Sequence, residues 1–197
     1  MERKSNRPAP KGQETRAISP EEYKEIIDTM RQGGAGFNPN ERAAMALILE
    51  ANLGIRISDI CKLRLCDIIR ENGKWRLSIV EQKTGKLRTF RVPDEVRQYI
   101  VEYCYRHGVK ETEPVVQIAR RSVQDALKKV TNYLDMERVG THSFRKYFAT
   151  QIYENTGHDV ALVREILQHS SLETTQRYLK INSAQVEEAL KKHVNML

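Results

Sequence analysis

The sequence predicts a mainly α-helical domain with a small antiparallel β-sheet. Two short segments, 74–80 and 87–92, carry β-forming residues at alternate positions and are separated by a turn-forming stretch. Most of the remaining chain carries apolar residues at helical spacing, interrupted by glycines. A length of 197 residues suits one well-packed domain better than two very small ones.

The N-terminal end divides into a tail and a first helix. Residues 1–17 are polar and basic without apolar periodicity, so they cannot offset their ordering entropy and should form a flexible tail. Ser19 then offers an N-cap, Pro20 suits the first helical position, and Glu22 completes a capping box. These signals predict a helix that runs to about Met30.

A glycine-rich stretch at 33–36 ends this helix. It lacks the Gly-Lys-Ser/Thr ending of a phosphate-binding loop, so we interpret it as an interhelical loop and expect no ATP site. One apolar face predicts a second helix over about 40–53, which ends at Gly54. Ser58 is expected to cap a short third helix, and Arg56 lies at the break between the two.

The two β segments are joined through Lys83-Thr84-Gly85-Lys86, which is typical of a hairpin, and Lys83 lies at its turn. From residue 94 onward almost everything has helical spacing. We expect helices at about 94–107, 122–134, 143–155, 160–168, 172–179 and 183–195.

The charge of the chain favours a polyanionic partner. It carries 33 Lys and Arg against 26 Asp and Glu, a net charge of +7, with a pI of about 9.3. DNA, RNA or an acidic membrane surface would all fit. No apolar run approaches the roughly 20 residues of a spanning helix, and the N-terminus lacks a signal-peptide stretch. We therefore expect a soluble cytoplasmic protein with no membrane partner.

Cysteine and histidine spacing indicate no metal site. The three cysteines lack C-x-x-C spacing, which suggests neither a disulfide framework nor a zinc site. The five histidines show no H-E-x-x-H or paired metal-ligand spacing. The expected chemistry uses no metal and no other cofactor.

Two short motifs carry residues suited to phosphate chemistry. His142 and Arg145 are three residues apart where a helix should begin, a spacing that places both on one face. Tyr178 follows His169 by nine residues. Alone, the pair would be interpreted as a solvated helix face and the tyrosine as amphipathic packing. Their interpretation as a site depends on the motifs occurring together.

Four separated motifs occur in one order: G-I-R-I-S-D at 54–59, K-T-G-K at 83–86, H-S-F-R at 142–145, and Q-H-S-S at 168–171 followed by Tyr178. With this set, roughly residues 18–182 resemble the tyrosine recombinase, or phage integrase, family. Asp59, Gln168 and Lys146 depart from the glutamate, glycine and histidine common there. A 17-residue tail also leaves no room for the family's N-terminal DNA-clamping domain.

The resemblance implies a site-specific DNA recombinase that cleaves and rejoins double-stranded DNA through a 3′-phosphotyrosine, without metal or ATP. It implies six catalytic residues: Arg56, Lys83, His142, Arg145, His169 and Tyr178. In this set Tyr178 is the nucleophile, His142 the candidate base and Lys83 the acid that protonates the 5′-hydroxyl leaving group. Guanidiniums suit the charge that develops on the non-bridging oxygens, and His169 would donate a hydrogen bond to the phosphate.

Two other functions share parts of this pattern. Residues 160–180 could form a helix-turn-helix of a non-catalytic DNA-binding protein, in which Thr174, Thr175 and Arg177 would face the major groove. A type IB topoisomerase also attacks DNA with a tyrosine nucleophile. The first alternative explains the basic charge but leaves His142, Arg145 and Lys83 without a role. The usual size and clamp of the second are absent here.

The C-terminal segment 183–197 predicts an amphipathic helix that begins at Ser183. Its apolar stripe consists of Val186, Leu190, Val194 and Leu197. The stripe could dock on its own domain, as C-terminal helices often do. The family resemblance instead favours docking on a neighbouring protomer, which would build a homo-tetramer on DNA.

Overall fold

The computed structural model describes residues 14–83, 85–168 and 171–179, which form a mainly α-helical fold with one three-stranded antiparallel sheet. This confirms the predicted fold class. The helix expected at 183–195 lies outside the described residues. In chain order the elements are α1 (Pro20–Gln32), α2 (Glu41–Leu53), α3 (Ile57–Ile60), β1 (Ile68–Glu71), β2 (Lys74–Val80), β3 (Leu87–Arg91), α4 (Asp94–His107), α5 (Arg120–Tyr133), α6 (Thr141–Asn155), α7 (Val160–Leu167) and α8 (Leu172–Leu179).

The capping box of α1 is confirmed. The Ser19 hydroxyl accepts from the Glu22 N–H at 3.2 Å, and the Ser19 N–H donates to the Glu22 carboxylate at 2.8 Å. Residues 14–17, which the sequence assigns to a flexible tail, contact the domain. The Arg16 guanidinium pairs with Glu22 at 2.5 Å, and the backbone N–H of Arg16 donates to the Arg138 carbonyl at 3.0 Å. These contacts hold the segment in place ahead of the predicted domain boundary.

The second helix, α2, lies at the centre of the fold. It begins where the Asn40 side chain accepts from the Ala43 N–H at 2.9 Å. Because α1, α3, α5 and α6 all pack against it, residues 43–49 are buried around its whole circumference. The sequence predicted a single apolar face, and this was wrong. Alanines at several positions of α2 let neighbouring helices approach from more than one side.

The sheet has the order β1-β2-β3, with Leu77 of β2 paired to Ile68 on one side and to Phe90 on the other. Strands β2 and β3 match the predicted segments, and β3 ends one residue early. The first strand, β1, was not predicted. Its signal was the Asn72-Gly73 dipeptide, whose residues both have positive φ, as a two-residue hairpin turn requires.

A smaller apolar cluster joins the last three helices. Ala149 of α6 and Val163 and Leu167 of α7 are its buried members, and Phe148 and Tyr178 pack against them. Helix α8 contacts both α6 and α7. The fold therefore holds Tyr178 against its own domain, beside the helix that carries His142 and Arg145.

Candidate active site

Arg56 lies at the break between α2 and α3, as the sequence indicates. It is the N-cap residue of α3, and its Nη1 donates to Glu81 Oε2 at 2.6 Å. The prediction that Ser58 caps this helix was wrong. The Ile57 N–H donates instead to the Glu50 carboxyl of α2 at 3.1 Å. Glu50 therefore fixes the backbone next to Arg56, and Glu81 fixes its guanidinium.

The Asp59 side chain contacts the β2–β3 hairpin rather than Arg56. Its Oδ1 accepts from the Gln82 N–H at 3.0 Å, and the Gln82 side-chain amide donates to the Ser58 carbonyl at 2.7 Å. Since Gln82 lies between β2 and β3, these bonds attach the hairpin to α3. Lys83 directly follows this anchored residue and is exposed.

Arg145 joins the ends of α2 and α7. It is only 2% exposed, and its guanidinium donates to the carbonyls of Gly54 and Leu167, the latter at 3.0 Å. Gly54 has a φ of 57°, and a Cβ at this position would overlap the Phe148 ring. Only glycine therefore lets the end of α2 approach α6 this closely.

A second buried arginine, Arg88 of β3, was missed by the sequence analysis. It is 1% exposed and donates to Glu81 Oε1 at 3.2 Å, to the Gly54 carbonyl at 3.2 Å and to the Ile166 carbonyl at 2.9 Å. Its only sequence signal is the alternation of β3, which places Arg88 at an inward position. Long-range partners decide that a charged residue is buried there, and one sequence does not reveal them.

These arginines remain charged at neutral pH. Burial, and then the neighbouring charge of Arg145, lower the pKa of Arg88 to about 10. Burial also lowers the pKa of Arg145. A guanidinium with a pKa of about 10 keeps its proton at neutral pH. The Glu81 carboxylate bridges Arg56 and Arg88, so one acid faces three cations and the excess positive charge suits a phosphate.

Glu50 is the other buried acid beside these cations, and the sequence analysis missed it too. It is fully buried, and this burial raises the pKa of its carboxyl well above the ordinary value, although the charge of Arg145 opposes the rise. The carboxyl is therefore held towards its neutral form. Glu50 thus supports the backbone next to Arg56 without cancelling the positive charge.

His142 lies in the first turn of α6, where several cations act on it. Although the residue is exposed, desolvation by the surrounding protein lowers the pKa of its imidazole, and the charges of Arg145, Arg56, Lys146 and Lys83 lower it further. The imidazole is consequently neutral at pH 7, as a general base must be. Because the charge of Lys83 acts on His142, the hairpin lysine lies close enough to influence the other site residues electrostatically.

Tyr178 lies on α8, with its ring in the small apolar cluster. Burial raises the pKa of its hydroxyl to about 12, while the charge of Arg145, a hydrogen bond from Arg145 and the charge of Arg56 oppose that rise. The same two guanidiniums therefore act on both Tyr178 and His142. The hydroxyl is protonated at neutral pH and needs a base before it can attack.

Five of the six predicted residues thus share one electrostatic neighbourhood, and the sixth, His169, lies outside the described residues. Its neighbour Gln168 ends α7 in the left-handed conformation. On α8, Thr175 is fully buried. This burial does not support the helix-turn-helix alternative, in which Thr175 would face the major groove.

The described residues, 14–83, 85–168 and 171–179, contain no candidate metal site. No three histidine, cysteine, aspartate or glutamate side chains in these ranges are grouped so that they could hold a metal ion. No helix in the same ranges is both long enough and apolar enough to cross a bilayer.

Sequence comparison relates the chain to known proteins along most of its length. The model of the phage integrase family matches residues 16–185. A probable integrase/recombinase, YoeC, of Bacillus subtilis strain 168 is 31% identical over 161 residues, which cover 78% of this chain and 86% of that protein. Tyrosine recombinase XerA of Pyrococcus furiosus is 28% identical over 90% of this chain. The chain spans 61% of XerA.

Structural comparison gives the same fold. The XerH site-specific recombinase bound to its difH substrate superposes with a TM-score of 0.66 at 21% identity, covering 88% of this chain and 53% of XerH. The catalytic domain of bacteriophage HP1 integrase superposes with a TM-score of 0.63 at 17% identity, covering 91% of this chain and 96% of that domain.

Proposed function

Because this chain belongs to the phage integrase family of tyrosine recombinases, we propose that it cleaves and rejoins DNA strands at specific sites through a covalent bond to Tyr178. Membership confirms the resemblance carried by the four sequence motifs. The observation that best supports the reaction is the meeting of Arg145, Arg56 and the Tyr178 hydroxyl in one buried site. A phosphate held by the two arginines would lie next to the attacking oxygen.

Arg56 and Arg145 are proposed to bind the scissile phosphate. Phosphoryl transfer to a phenol passes through a pentavalent state with negative charge on the non-bridging oxygens, and planar guanidiniums can bind these oxygens in pairs. Both arginines are fixed before DNA arrives, one by Glu81 and the other by helix-end carbonyls. Such preorganised donors stabilise developing charge without reorganising during the reaction.

Proton transfer is assigned to His142 and Lys83. The Tyr178 oxygen attacks phosphorus while its proton passes to the neutral imidazole of His142. The bond from phosphorus to the 5′ oxygen breaks, and Lys83 donates the proton that this oxygen needs. One phosphodiester bond is exchanged for another, so rejoining needs no ATP. His169 is proposed to donate a further hydrogen bond to the phosphate.

A groove of about 790 Å³ beside α5 supports a path for DNA towards these residues. Arg121, Lys128 and Arg138 line it, His142 is among the lining residues, and two acidic side chains are present as well. Cations along such a groove would neutralise backbone phosphates. XerH has been solved bound to its difH substrate, and the Tn1549 transposon integrase in complex with circular intermediate DNA. DNA binding by this chain should therefore weaken steeply as salt rises.

We also propose that the chain assembles as a tetramer on DNA through residues 183–197, which lie outside the described residues. The support is the apolar stripe of that segment, described above, and the lambda integrase dimer solved bound to a COC' core site. Deletion of 183–197 should then preserve the melting temperature of the dilute monomer but impair recombination. A large drop in melting temperature would instead place the segment on its own domain.

The nucleophile is tested with a suicide DNA substrate that traps the covalent complex. Tyr178→Phe should abolish the denaturant-resistant adduct and leave DNA binding within about twofold, since only the attacking oxygen is removed. Tyr153→Phe is the matched control, because Tyr153 packs against the same apolar cluster. An adduct formed by Tyr178→Phe would refute the assignment. Strand exchange between two DNA sites, rather than supercoil relaxation alone, distinguishes a recombinase from a topoisomerase.

A further inference from the structure

Lys146 occupies an unusual position next to the proposed site. It follows Arg145 on α6 and is only 3% exposed, whereas lysine is rarely fully buried without a partner. Its ammonium group lies 5.5 Å from the centroid of the Tyr178 ring, within the range of a cation–π contact. None of the six predicted catalytic positions is Lys146, so this contact is not yet explained.

The partners of Lys146 come from the start of the described chain. Its Nζ pairs with Glu14 Oε1 at 2.6 Å and donates to the Thr15 carbonyl at 2.6 Å. We call residues 14–16 the N-terminal strap. An ammonium has three N–H donors, and two of them are used by the strap. The strap therefore satisfies a buried charge that would otherwise favour moving to solvent.

The strap is itself attached to the loop that precedes α6. Arg16 donates from its N–H to the Arg138 carbonyl at 3.0 Å and from its Nε to the Glu137 carbonyl at 3.3 Å. A Cβ added at Gly140 would lie 3.1 Å from the Thr15 methyl group, so the strap passes close to this loop. The strap thus runs alongside the start of α6 and passes close to Gly140, which is two residues before His142.

From these contacts we propose that Lys146 is a positioning residue for Tyr178 and that the N-terminal strap holds it in place. The inference rests on the proposed function, in which Tyr178 is the nucleophile. A buried cation beside the ring fixes its orientation and stabilises the negative charge that develops on its oxygen. Displacement of the strap removes the partners of Lys146 and so weakens this effect. Events at the N-terminus are thereby coupled to the cleavage step.

The test measures ionisation of Tyr178 in the free, full-length protein by ¹⁹F NMR after 3-fluorotyrosine labelling. The Tyr178→Phe variant identifies its resonance. Lys146→Met keeps the length of the side chain and removes the charge, and it should shift the ionisation of Tyr178 to higher pH. Lys146→Arg should restore the original pKa. Lys62→Met, at an exposed lysine, is the control and should leave the pKa unchanged.

The strap is tested separately with Glu14→Ala, which leaves Lys146 in the chain and should shift the same pKa in the same direction. Single-turnover cleavage by Lys146→Met should fall about tenfold with DNA affinity unchanged. An unchanged Tyr178 titration in a folded Lys146→Met protein overturns the proposal. A shift in Lys146→Met but none in Glu14→Ala overturns the role of the strap. Because the titration needs no DNA, it tests the role of Lys146 independently of whether Tyr178 is the nucleophile.

Discussion

Replacement of His142 by alanine should change how the cleavage rate depends on pH. Burial raises the pKa of Tyr178 to about 12, so at pH 7.5 only roughly 3 in 100,000 of these hydroxyls are ionised. Desolvation by the surrounding protein and the neighbouring cations lower the pKa of His142. The wild-type rate should therefore rise with pH only at acidic pH, through the pKa of His142. Above about pH 7 it should be flat.

Without this base, attack depends on the small fraction of phenolate already present. The His142→Ala rate should be lower at pH 7.5 by about 100- to 10,000-fold, the usual contribution of general base catalysis. It should then rise about tenfold for each pH unit between about pH 7 and pH 9, because the phenolate fraction does so well below its pKa. The variant would thus recover about 100-fold over this range while the wild type stays level.

Single-turnover cleavage of a suicide substrate measures both profiles, with DNA in excess so that binding does not limit the rate. His158→Ala is the matched control, since His158 pairs with Glu154 and both side chains are exposed. It should keep the wild-type profile. If His142→Ala keeps the flat profile at a reduced rate, another group accepts the proton and the assignment of His142 is refuted.

Three further substitutions test the remaining parts of the site. Lys83→Ala should slow cleavage of ordinary DNA but not of a substrate with a 5′-sulfur leaving group, which needs no proton; equal slowing would exclude the acid role. Glu81→Gln breaks a buried ion-pair network and should cost about 3 kcal/mol, which lowers the melting temperature by roughly 6–12 °C. Gly54→Ala should cost at least about 2 kcal/mol in denaturant unfolding, because its Cβ overlaps Phe148 at a positive φ. Gly73→Ala, with positive φ but open space, is its control and should cost about 1 kcal/mol.

Local signals were sufficient to predict most of the fold. The Ser19 capping box, the glycine after α2 and the alternation of β2 and β3 act over a few residues, and each of these elements lies within about two residues of its prediction. Strand β1 was missed although Asn72-Gly73 signalled the turn that follows it. The strand has only four residues, and its apolar and polar side chains do not alternate clearly. The full burial of α2 was missed because it depends on how many helices surround it.

The residues of the candidate site fall into two groups. The proposed catalytic residues belong to recognisable motifs, so the sequence was enough to propose them. The sequence did not reveal the residues that support them, because each of these acts through a partner that is distant in the sequence. These residues are Arg88, Glu81, Glu50 and Lys146. Arg88 reaches a carbonyl 78 residues away, and Lys146 reaches a carboxylate 132 residues away. No spacing rule connects such pairs, and each residue alone would be expected on the surface.

The way these arginines are stabilised explains how a buried site can stay positively charged. Arg88 and Arg145 donate to carbonyls at the ends of α2 and α7, namely those of Gly54, Ile166 and Leu167. Helix C-termini carry a partial negative charge that stabilises a cation without neutralising it as a carboxylate would. A guanidinium has five N–H donors, so two bonds to carbonyls leave others for a phosphate. The same carbonyls fix the arginines relative to α7, and hence relative to the helix that carries Tyr178. In the proposed reaction, binding of the phosphate and placement of the nucleophile would therefore depend on one set of hydrogen bonds.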